Sequence, residues 1–315
     1  MTEKILNKHA TRSRTLQNIA VRDPYLAWEM LLFPQEDICM AHLKPKQYVR
    51  SLWRRGLMIL FTCAVFARVA WARVRYRDRR TRIAAAKDHC AWGLRIGTRI
   101  LGYTIRQHGR LPEGGALLTP NHTGYGDILA LGGRARCLFV PKQEIGNWPV
   151  VGTIVRLTGH ILVKRTAGRS MKATARSIQD RLEDGFRVCV FLEGTTTGGD
   201  RLLPFRASFL QPAIDAKAPI VPVALHWKAT RPGTSVIEHV AFWRPGIHRF
   251  WTHLARHAGL NGIEVDIFYG QPIDPTGWDR KALADELEKQ VRKMLELEEN
   301  EKTGKARFRH LGVNG

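Results

Sequence analysis

One segment of this 315-residue chain limits the possible folds more than any other: residues 56–72 read GLMILFTCAVFARVAWA and are apolar except for Arg68. A helix of this composition must either be buried in the protein or contact lipid. Arg54 and Arg55 precede the segment, and five arginines follow it between positions 73 and 80. Because dense basic flanks suit anionic headgroups better than a protein core, we expect a membrane-associating helix.

The mode of membrane attachment depends on the length of this segment. A helix that spans a bilayer needs about 20 mostly apolar residues, and this segment is shorter and is interrupted by Arg68. We therefore favour a helix that lies in the membrane interface, with a single span and a buried core helix as alternatives. The N-terminus has no signal-peptide pattern and the five cysteines form no CxxC pair, so we expect the protein at the cytoplasmic face of a membrane.

The distribution of charge agrees with a membrane partner. The chain has 50 Lys and Arg against 28 Asp and Glu, a net charge of +22, and 17 of the 50 cations lie in residues 41–110 beside only two acids. Clustered cations bind nucleic acid or an anionic membrane surface, and the apolar segment in the same region favours the membrane and no nucleic acid. With 44% hydrophobic residues the chain cannot be a disordered basic tail. A non-catalytic basic protein that binds lipid or nucleic acid is the alternative from a different class.

Short apolar runs dominate the rest of the chain, and several are continuous, as is typical of strands buried on both faces of a parallel sheet. They are Gly115–Thr119, Cys137–Val140, Gly159–Val163, Val188–Leu192, Ile220–Leu225 and Ile263–Tyr269. Apolar residues at helical spacing predict helices over Ser170–Asp184 and Asp279–Asn300. The pattern predicts an α/β fold, with a mixed, largely parallel sheet flanked by helices and an N-terminal helical membrane-associating segment. We divide the chain into an N-terminal extension (1–50), the membrane-associating region (51–100), a catalytic domain (101–275) and a C-terminal amphipathic helix with its tail (276–315).

The strongest chemical signal is His122 in the sequence TPNHTGYGD over residues 119–127. It follows a predicted strand, and active sites of α/β proteins lie beyond the carboxyl ends of their strands. Gly124 and Gly126 permit a tight turn, so Asp127 can begin the next helix and point back at the imidazole. A carboxylate on one ring nitrogen leaves the other nitrogen free as a base, so the motif predicts a His–Asp pair with no nucleophile. A loop histidine followed by a helix-capping aspartate is the alternative when the motif is taken alone.

Three further blocks follow in order. Residues 159–165 read GHILVKR, residues 191–199 read FLEGTTTGG with LPFR at 203–206, and residues 221–223 read VPV. With the His122 motif, this order and spacing resemble the glycerolipid acyltransferases of the lysophosphatidic acid acyltransferase family. The resemblance covers roughly residues 100–275. It implies an enzyme that moves an acyl chain from acyl-CoA or acyl-carrier protein to the hydroxyl of a lysolipid, with no cofactor and no metal.

The resemblance also implies roles for individual residues. His122 would be the general base, oriented by Asp127. Lys164 and Arg165 would hold the phosphate or another anionic headgroup of the acceptor, and Arg206 stands where the family has the lysine of LPFK. Glu193 would hold its own loop by hydrogen bonds or orient the acceptor hydroxyl. The tetrahedral oxyanion needs hydrogen-bond donors, and we suggest the backbone N–H groups around Gly194 and Thr195.

The acceptor is the least determined part of this interpretation. The family pattern FPEGTRS becomes FLEGTTT here, so Thr196 stands where an arginine commonly binds phosphate, and Lys164 replaces an acid. We expect 1-acylglycerol-3-phosphate as the acceptor. The EGTT block also looks like that of the lyso-ornithine lipid acyltransferases, so a different lysolipid is the alternative.

Overall fold

The computed structural model describes residues 44–148, 150–164, 169–242, 250–295, 297–300 and 305–308. Nearly all of the predicted N-terminal extension lies outside these ranges, and so does Arg165. The helices are α1 (Pro45–Arg75), α2 (Arg79–Leu101), α3 (Tyr125–Ala135), α4 (Val151–Leu157), α5 (Arg169–Glu183), α6 (Gln211–Asp215), α7 (Phe250–Gly259) and α8 (Arg280–Met294). The strands are β1 (Tyr103–His108), β2 (Ala116–Pro120), β3 (Leu138–Phe139), β4 (Arg187–Cys189), β5 (Ile220–Ala229), β6 (Ile263–Tyr269), β7 (Leu297–Asn300) and β8 (Lys305–Phe308).

Six strands form one sheet in the order β1-β6-β5-β2-β4-β3. Neighbouring strands are parallel except for β5 and β6, which are antiparallel. The predicted mixed, largely parallel sheet is therefore confirmed. In this arrangement β2 and β4 are adjacent and parallel, so the loops that follow them leave the same edge of the sheet. Those loops carry His122 and Glu193.

Both faces of the sheet are buried, which explains why its strands read as continuous apolar runs. On one face Leu118 and Val221 belong to a core cluster that also contains residues of α3 and α7. On the other face Leu117 and Ile220 belong to a second cluster that includes residues of α5 and α8. Successive strand residues point to opposite faces, so both partners of each successive pair are apolar.

One predicted strand is absent from the structure, and one strand of the structure was not predicted. Residues 159–163 do not form a regular strand: Gly159 has φ +81, and one bridge joins Val163 to Lys142. The segment still runs beside the end of β3, since the Ile161 N–H donates to the Phe139 carbonyl at 3.0 Å. Strand β1 was not predicted. It is an edge strand whose residues after Tyr103 are largely exposed and polar, so it lacks an apolar pattern.

The helix predictions were closer, and the differences lie at the ends. Helix α5 begins one residue before Ser170, which was expected to cap it, and Gly185 follows its C-terminus with φ +84. Asp279 is the N-cap of α8 and accepts the Lys281 N–H at 2.9 Å, whereas the helix ends at Met294 rather than Asn300. Helix α1 crosses the predicted boundary at residue 50, and the division into domains stays a prediction.

Helix α1 has 31 residues, a length of about 46 Å, and two different faces. Its inner face packs antiparallel on α2, where Val65 lies so close to Gly93 that a Cβ there would overlap it. Arg68, the charge within the apolar segment, lies over the Trp92 ring of α2 at 4.8 Å from the ring centroid. The aromatic ring stabilises the guanidinium charge, and none of the described acids forms an ion pair with Arg68.

Side chains in the N-terminal half of α1 form hydrogen bonds to backbone carbonyls at the end of α7. The Ser51 hydroxyl donates to the Ala255 carbonyl, and the Arg50 guanidinium donates to the Gly259 carbonyl at 3.1 Å. Arg54 donates to the carbonyls of residues 258 and 260 and to the side chain of Asn261. Arg54 of the basic flank, and Arg50 one turn before it, therefore satisfy carbonyl groups at a helix C-terminus, which is a structural use of positive charge.

The outer face of α1 is apolar and exposed. Its large exposed hydrophobic residues are Tyr48, Val49, Leu52, Trp53, Ile59, Leu60, Phe66, Trp71 and Val74. By length and composition α1 could cross a membrane, and only 17% of the apolar window that meets this criterion is buried. An exposed apolar face of this extent indicates association with a membrane.

Candidate active site

His122 lies two residues after β2, at the carboxyl edge of the sheet. Its Nδ1 is 2.8 Å from Oδ2 of Asp127, and its side chain is 18% exposed. An ionised carboxylate only accepts hydrogen bonds, so Nδ1 carries the proton and Nε2 keeps a free lone pair. The structure thus brings together the two residues that the sequence motif paired.

Asp127 is the third residue of α3 and is fully buried. Besides the imidazole, Oδ2 accepts the backbone N–H groups of Thr123 at 2.7 Å and Gly124 at 2.9 Å. Oδ1 accepts the Thr123 hydroxyl and the Trp227 indole N–H, both at 2.8 Å. Five donors compensate this carboxylate for its burial and fix its orientation. Asp127 therefore both caps the helix and orients the histidine.

Phe191, at the start of the FLEGTTT block, stacks on the His122 imidazole. The two ring centroids are 3.7 Å apart and the ring planes differ by 15°. Phe139 of β3 lies nearly parallel to Phe191, with centroids 6.3 Å apart. One face of the imidazole is therefore covered by an aromatic ring, which limits ring rotation and keeps water from that side.

Glu193 joins two loops rather than facing solvent. Its Oε1 accepts the His122 backbone N–H at 2.6 Å, and its Oε2 accepts the Leu203 backbone N–H at 2.9 Å. The side chain is buried, and desolvation raises the pKa of its carboxyl to about 8, against the effect of the two N–H donors. Of the two roles predicted for Glu193, this geometry corresponds to holding the loop.

The backbone after Glu193 turns sharply at Gly194, which has φ +72. The Gly194 N–H donates to the Phe191 carbonyl at 3.1 Å, so it is already used within the turn. Thr195 is exposed, and none of the described residues accepts its backbone N–H. Of the two donors suggested for an oxyanion, the one at Thr195 is thus the more accessible.

Two of the three predicted cations, Arg206 and Lys164, lie in exposed positions, and Arg165 lies outside the described residues. The Arg206 guanidinium lies over Gly194, where it is 3.1 Å from the position of an added Cβ. Lys164 is exposed and follows the segment beside β3, so it shares the carboxyl edge with His122 but lies three strand positions from β2, about 14 Å across the sheet. The Thr196 hydroxyl donates to the Phe242 carbonyl at 2.8 Å and provides no charge.

Several known proteins are similar to this chain in sequence or in fold. The family model described as Acyltransferase matches residues 102–226. A lyso-ornithine lipid O-acyltransferase of Brucella abortus is 33% identical over 215 residues, which are 64% of this chain and 79% of that protein. This chain belongs to the acyltransferase family. A 1-acyl-sn-glycerol-3-phosphate acyltransferase of Neisseria gonorrhoeae is 30% identical over 183 residues, covering 58% of this acyltransferase and 69% of the relative.

The fold of this acyltransferase also has a counterpart among solved structures. The crystal structure of the 1-acyl-sn-glycerophosphate (LPA) acyltransferase PlsC from Thermotoga maritima superposes with a TM-score of 0.58. The alignment covers 79% of this chain and 96% of that chain at 16% identity. At this identity the likeness establishes the fold alone. It covers more of the acyltransferase than the family model does.

Three residues of the acyltransferase site were not singled out from sequence. Phe191 is the first residue of the FLEGTTT block, so its place two residues before Glu193 could have indicated that it lies near the site. Thr123 lies in the His122 motif, and a hydroxyl near a buried carboxylate is a common partner. Trp227 is separated from Asp127 by 100 residues, and only the strand register brings the two together.

Proposed function

We propose that this acyltransferase moves an acyl chain from a thioester to the hydroxyl of a lysolipid, with His122 as the general base. The observation that carries the proposal is the hydrogen bond between His122 Nδ1 and Asp127 Oδ2, 2.8 Å long, beside a partly exposed imidazole. The bond leaves Nε2 as the proton acceptor. A base held in this way typically contributes about 10²–10⁴-fold to the rate.

The reaction then needs one nucleophilic attack and no acyl-enzyme. Nε2 of His122 takes the proton of the acceptor hydroxyl while that oxygen attacks the thioester carbonyl. The Asp127 carboxylate stabilises the imidazolium that forms. Collapse of the tetrahedral oxyanion breaks the carbon–sulfur bond, and the departing thiolate takes the proton, so the products are an ester and a free thiol. The Thr195 N–H is our candidate donor to the oxyanion.

The co-substrate is the acyl thioester, carried by CoA or by acyl-carrier protein. A thioester has a good leaving group, so a positioned base and an oxyanion donor are sufficient for acyl transfer. We assign Glu193 to the support of the site rather than to a second base. Its two oxygens accept the backbone N–H groups of His122 and Leu203, and its side chain is buried between the two loops.

Two lysolipids are candidates for the acceptor. The motif order favours 1-acylglycerol-3-phosphate, with its headgroup on Lys164, Arg165 and Arg206. The relatives with the higher identities act on lyso-ornithine lipid by name. Thr196, whose hydroxyl is bonded to a backbone carbonyl, adds no cation for a phosphate. This second observation favours lyso-ornithine lipid, whose ornithine headgroup has a carboxylate and an amine in place of a phosphate.

A panel of lysolipids, assayed with acyl-CoA and with acyl-carrier protein, tests the proposal. We expect the wild-type protein to acylate at least one of the two acceptors and to release one thiol for each ester formed. His122→Ala should reduce turnover by about 10³-fold or more, because the base is lost while the fold is kept. Wild-type turnover by the alanine variant would show that His122 is not the base. No acylation of any lysolipid by the wild-type protein would refute the reaction itself.

We further propose that the outer face of α1 lies in the interface of an anionic membrane on its cytoplasmic face. The apolar residues of this face are exposed, and the arginines between 73 and 80 would contact headgroups at one end of the helix. With α1 in the interface, a lysolipid acceptor stays within reach of the same surface. A spanning α1 is the competing arrangement.

Vesicle binding and thiol labelling separate these arrangements. The double substitution of Leu52 and Ile59 by serine should weaken binding to phosphatidylglycerol vesicles at least tenfold, whereas serine at Trp278, which is exposed outside α1, should not. Single cysteines at Tyr48 and at Val74, in a protein whose native cysteines are replaced, report the topology. An impermeant thiol reagent should reach both from the same side of the membrane. Labelling from opposite sides would establish a span.

A further inference from the structure

Trp227, near the end of β5, connects the sheet with the carboxylate that orients His122. Its indole N–H donates to Oδ1 of Asp127 at 2.8 Å. Trp227 is 5% exposed and Asp127 is 0% exposed, so water does not compete for this bond. Hydrogen bonds to a buried charged group are among the stronger ones in proteins.

The two oxygens of Asp127 have different tasks. Oδ2 faces the His122 imidazole and the backbone of the turn. Oδ1 faces away from the imidazole and accepts only the Trp227 indole and the Thr123 hydroxyl among the described residues. The bonds at Oδ1 therefore act together with those at Oδ2 to fix the rotation of the carboxylate plane, and through it the direction in which Oδ2 meets the imidazole.

Trp227 itself is rigidly held. The ring of Tyr103 meets the indole edge-on, with centroids 5.4 Å apart at 82°. The Tyr103 hydroxyl in turn hydrogen-bonds to Nε2 of His257. Burial lowers the pKa of His257 to about 4, so this histidine is neutral. Its Nδ1 faces the carbonyl of His239 and carries the ring proton, which leaves Nε2 to accept the tyrosine hydroxyl.

A glycine permits this approach. A Cβ at Gly126 would lie 3.2 Å from two ring carbons of Trp227. That separation is tighter than ordinary contact, so a larger residue would displace the indole from Asp127. The glycine, the indole and the tyrosine together form a buried wall behind the catalytic pair.

We infer that Trp227 is a positioning residue for the general base: its indole N–H fixes the Asp127 carboxylate so that Oδ2 holds the His122 imidazole in its productive orientation. The inference rests on the proposed function, because it assigns His122 the role of base. It concerns a residue that touches neither acceptor nor donor. Its effect should appear in the rate and its pH dependence, with little change in the KM for either substrate.

The substitution Trp227→Phe removes the N–H and keeps an aromatic ring against Tyr103. We expect kcat to fall about tenfold while both KM values stay within a factor of two. We also expect the acid limb of the pH–rate profile to move to higher pH, because a carboxylate with one donor fewer attracts the imidazolium more strongly. Trp278→Phe, a matched change at a partly exposed site, should alter neither. A rate loss that is uniform across pH, or unchanged kinetics, would overturn the inference.

A second background separates positioning from packing. In Asp127→Ala the carboxylate is absent, so adding Trp227→Phe should lower the residual rate less than twofold if the tryptophan acts through Asp127. An equal tenfold loss in both backgrounds would show that Trp227 acts by packing alone. The indole proton resonance of Trp227, assigned by its loss in Trp227→Phe, should move upfield in Asp127→Ala. An unmoved resonance would contradict the hydrogen bond.

The outcome of His122→Ala distinguishes the two claims. If that variant is inactive and Trp227→Phe behaves like the wild type, the base assignment stands and the positioning role is refuted. If His122→Ala keeps wild-type turnover, the proposed function fails first. In that case a slow Trp227→Phe would have to be explained without the imidazole.

Discussion

The His122–Asp127 pair, which we propose for the chemical step, and the cations proposed for the headgroup are held by the protein in different ways. Asp127 is fully buried and accepts five hydrogen bonds from side chains and backbone. Lys164 and Arg206 are exposed, at the ends of loops. The groups proposed for the chemical step are thus part of the core, whereas the groups proposed for headgroup recognition lie on the surface around it.

This difference explains how one fold can accommodate lysolipid acceptors with different headgroups. A change near Asp127 disturbs packing and hydrogen bonds at once, so few substitutions are tolerated there. A change at an exposed cation alters charge with little cost in stability. The two groups of relatives fit this division, since lyso-ornithine lipid and 1-acylglycerol-3-phosphate acyltransferases have similar identities to this chain. Substitutions in the core and at the surface should therefore differ in kind.

The largest effect is expected at the core. Asp127→Asn keeps the shape of the side chain but replaces one acceptor oxygen with an NH2 group, which can only donate. The His122 ring therefore loses its fixed tautomer. We expect kcat to fall on the order of 10³–10⁴-fold, measured by thiol release with the preferred lysolipid. Circular dichroism and thermal unfolding serve as controls for the fold. A loss below tenfold would show that the buried pair is not the catalytic centre.

Glu193→Gln should have the next largest effect. An amide nitrogen cannot accept an N–H, so one of the bonds to the His122 and Leu203 backbones is lost, and we expect a 10- to 100-fold lower kcat.

The substitution also has a signature in stability. The folded carboxyl has its pKa raised to about 8, while the unfolded chain ionises near its ordinary value. The folded state therefore holds a proton at Glu193 that the unfolded state has lost, and the contribution of Glu193 to the free energy of unfolding should fall as pH rises from about 4.5 to about 8. The glutamine variant should lack this slope in denaturant titrations. Equal slopes in both proteins would refute the buried, neutral carboxyl.

Arg206→Ala tests the surface side of the comparison. We expect the KM for the lysolipid to rise about tenfold with kcat within a factor of three, because a charge-assisted contact to the headgroup is lost. The effect should shrink at high salt. Lys172→Ala removes an exposed cation on α5 and should change neither constant. A fall in kcat at constant KM would assign Arg206 to the chemical step.

The smallest change is expected for Thr196→Arg. An arginine here restores the cation of the family pattern, so the ratio of activity with 1-acylglycerol-3-phosphate to that with lyso-ornithine lipid should rise three- to tenfold. Thr196→Val loses the same hydroxyl bond to Phe242 without adding charge, and its ratio should stay near the wild-type value. An unchanged ratio in the arginine variant would remove this position from acceptor choice.

Much of the fold and the central pair could be predicted from sequence because their signals are local. Continuous apolar runs predict strands buried on both faces, and the short spacing between His122 and Asp127 confines them to one turn. The edge strand β1 was missed for the same physical reason: its side chains after Tyr103 face solvent and lack a periodic apolar pattern. The segment 159–163 was predicted as a strand because it is apolar. It lies partly buried at the sheet edge but has only one bridge to a neighbour.

The remaining parts of the site depend on contacts between distant segments. Trp227 meets Asp127 because β5 pairs with β2 in a particular register, with Thr119 opposite Pro222. Nothing near residue 227 in the sequence indicates that partner. The arginines of the basic flank are a similar case. Arg54 was assigned to headgroups by composition, and it in fact binds carbonyl groups at the end of α7.

The attachment of α1 to α7 has a practical consequence for anyone who wants this enzyme in water-soluble form. Removing α1 would leave the carbonyl groups at the end of α7 without the Arg50 and Arg54 donors and would uncover Gly93 of α2, on which Val65 packs. A shortened protein would be expected to lose its shape together with its affinity for lipid. The better route is to keep the helix and exchange only its outward-facing residues, such as Leu52, Ile59 and Val74, for polar ones.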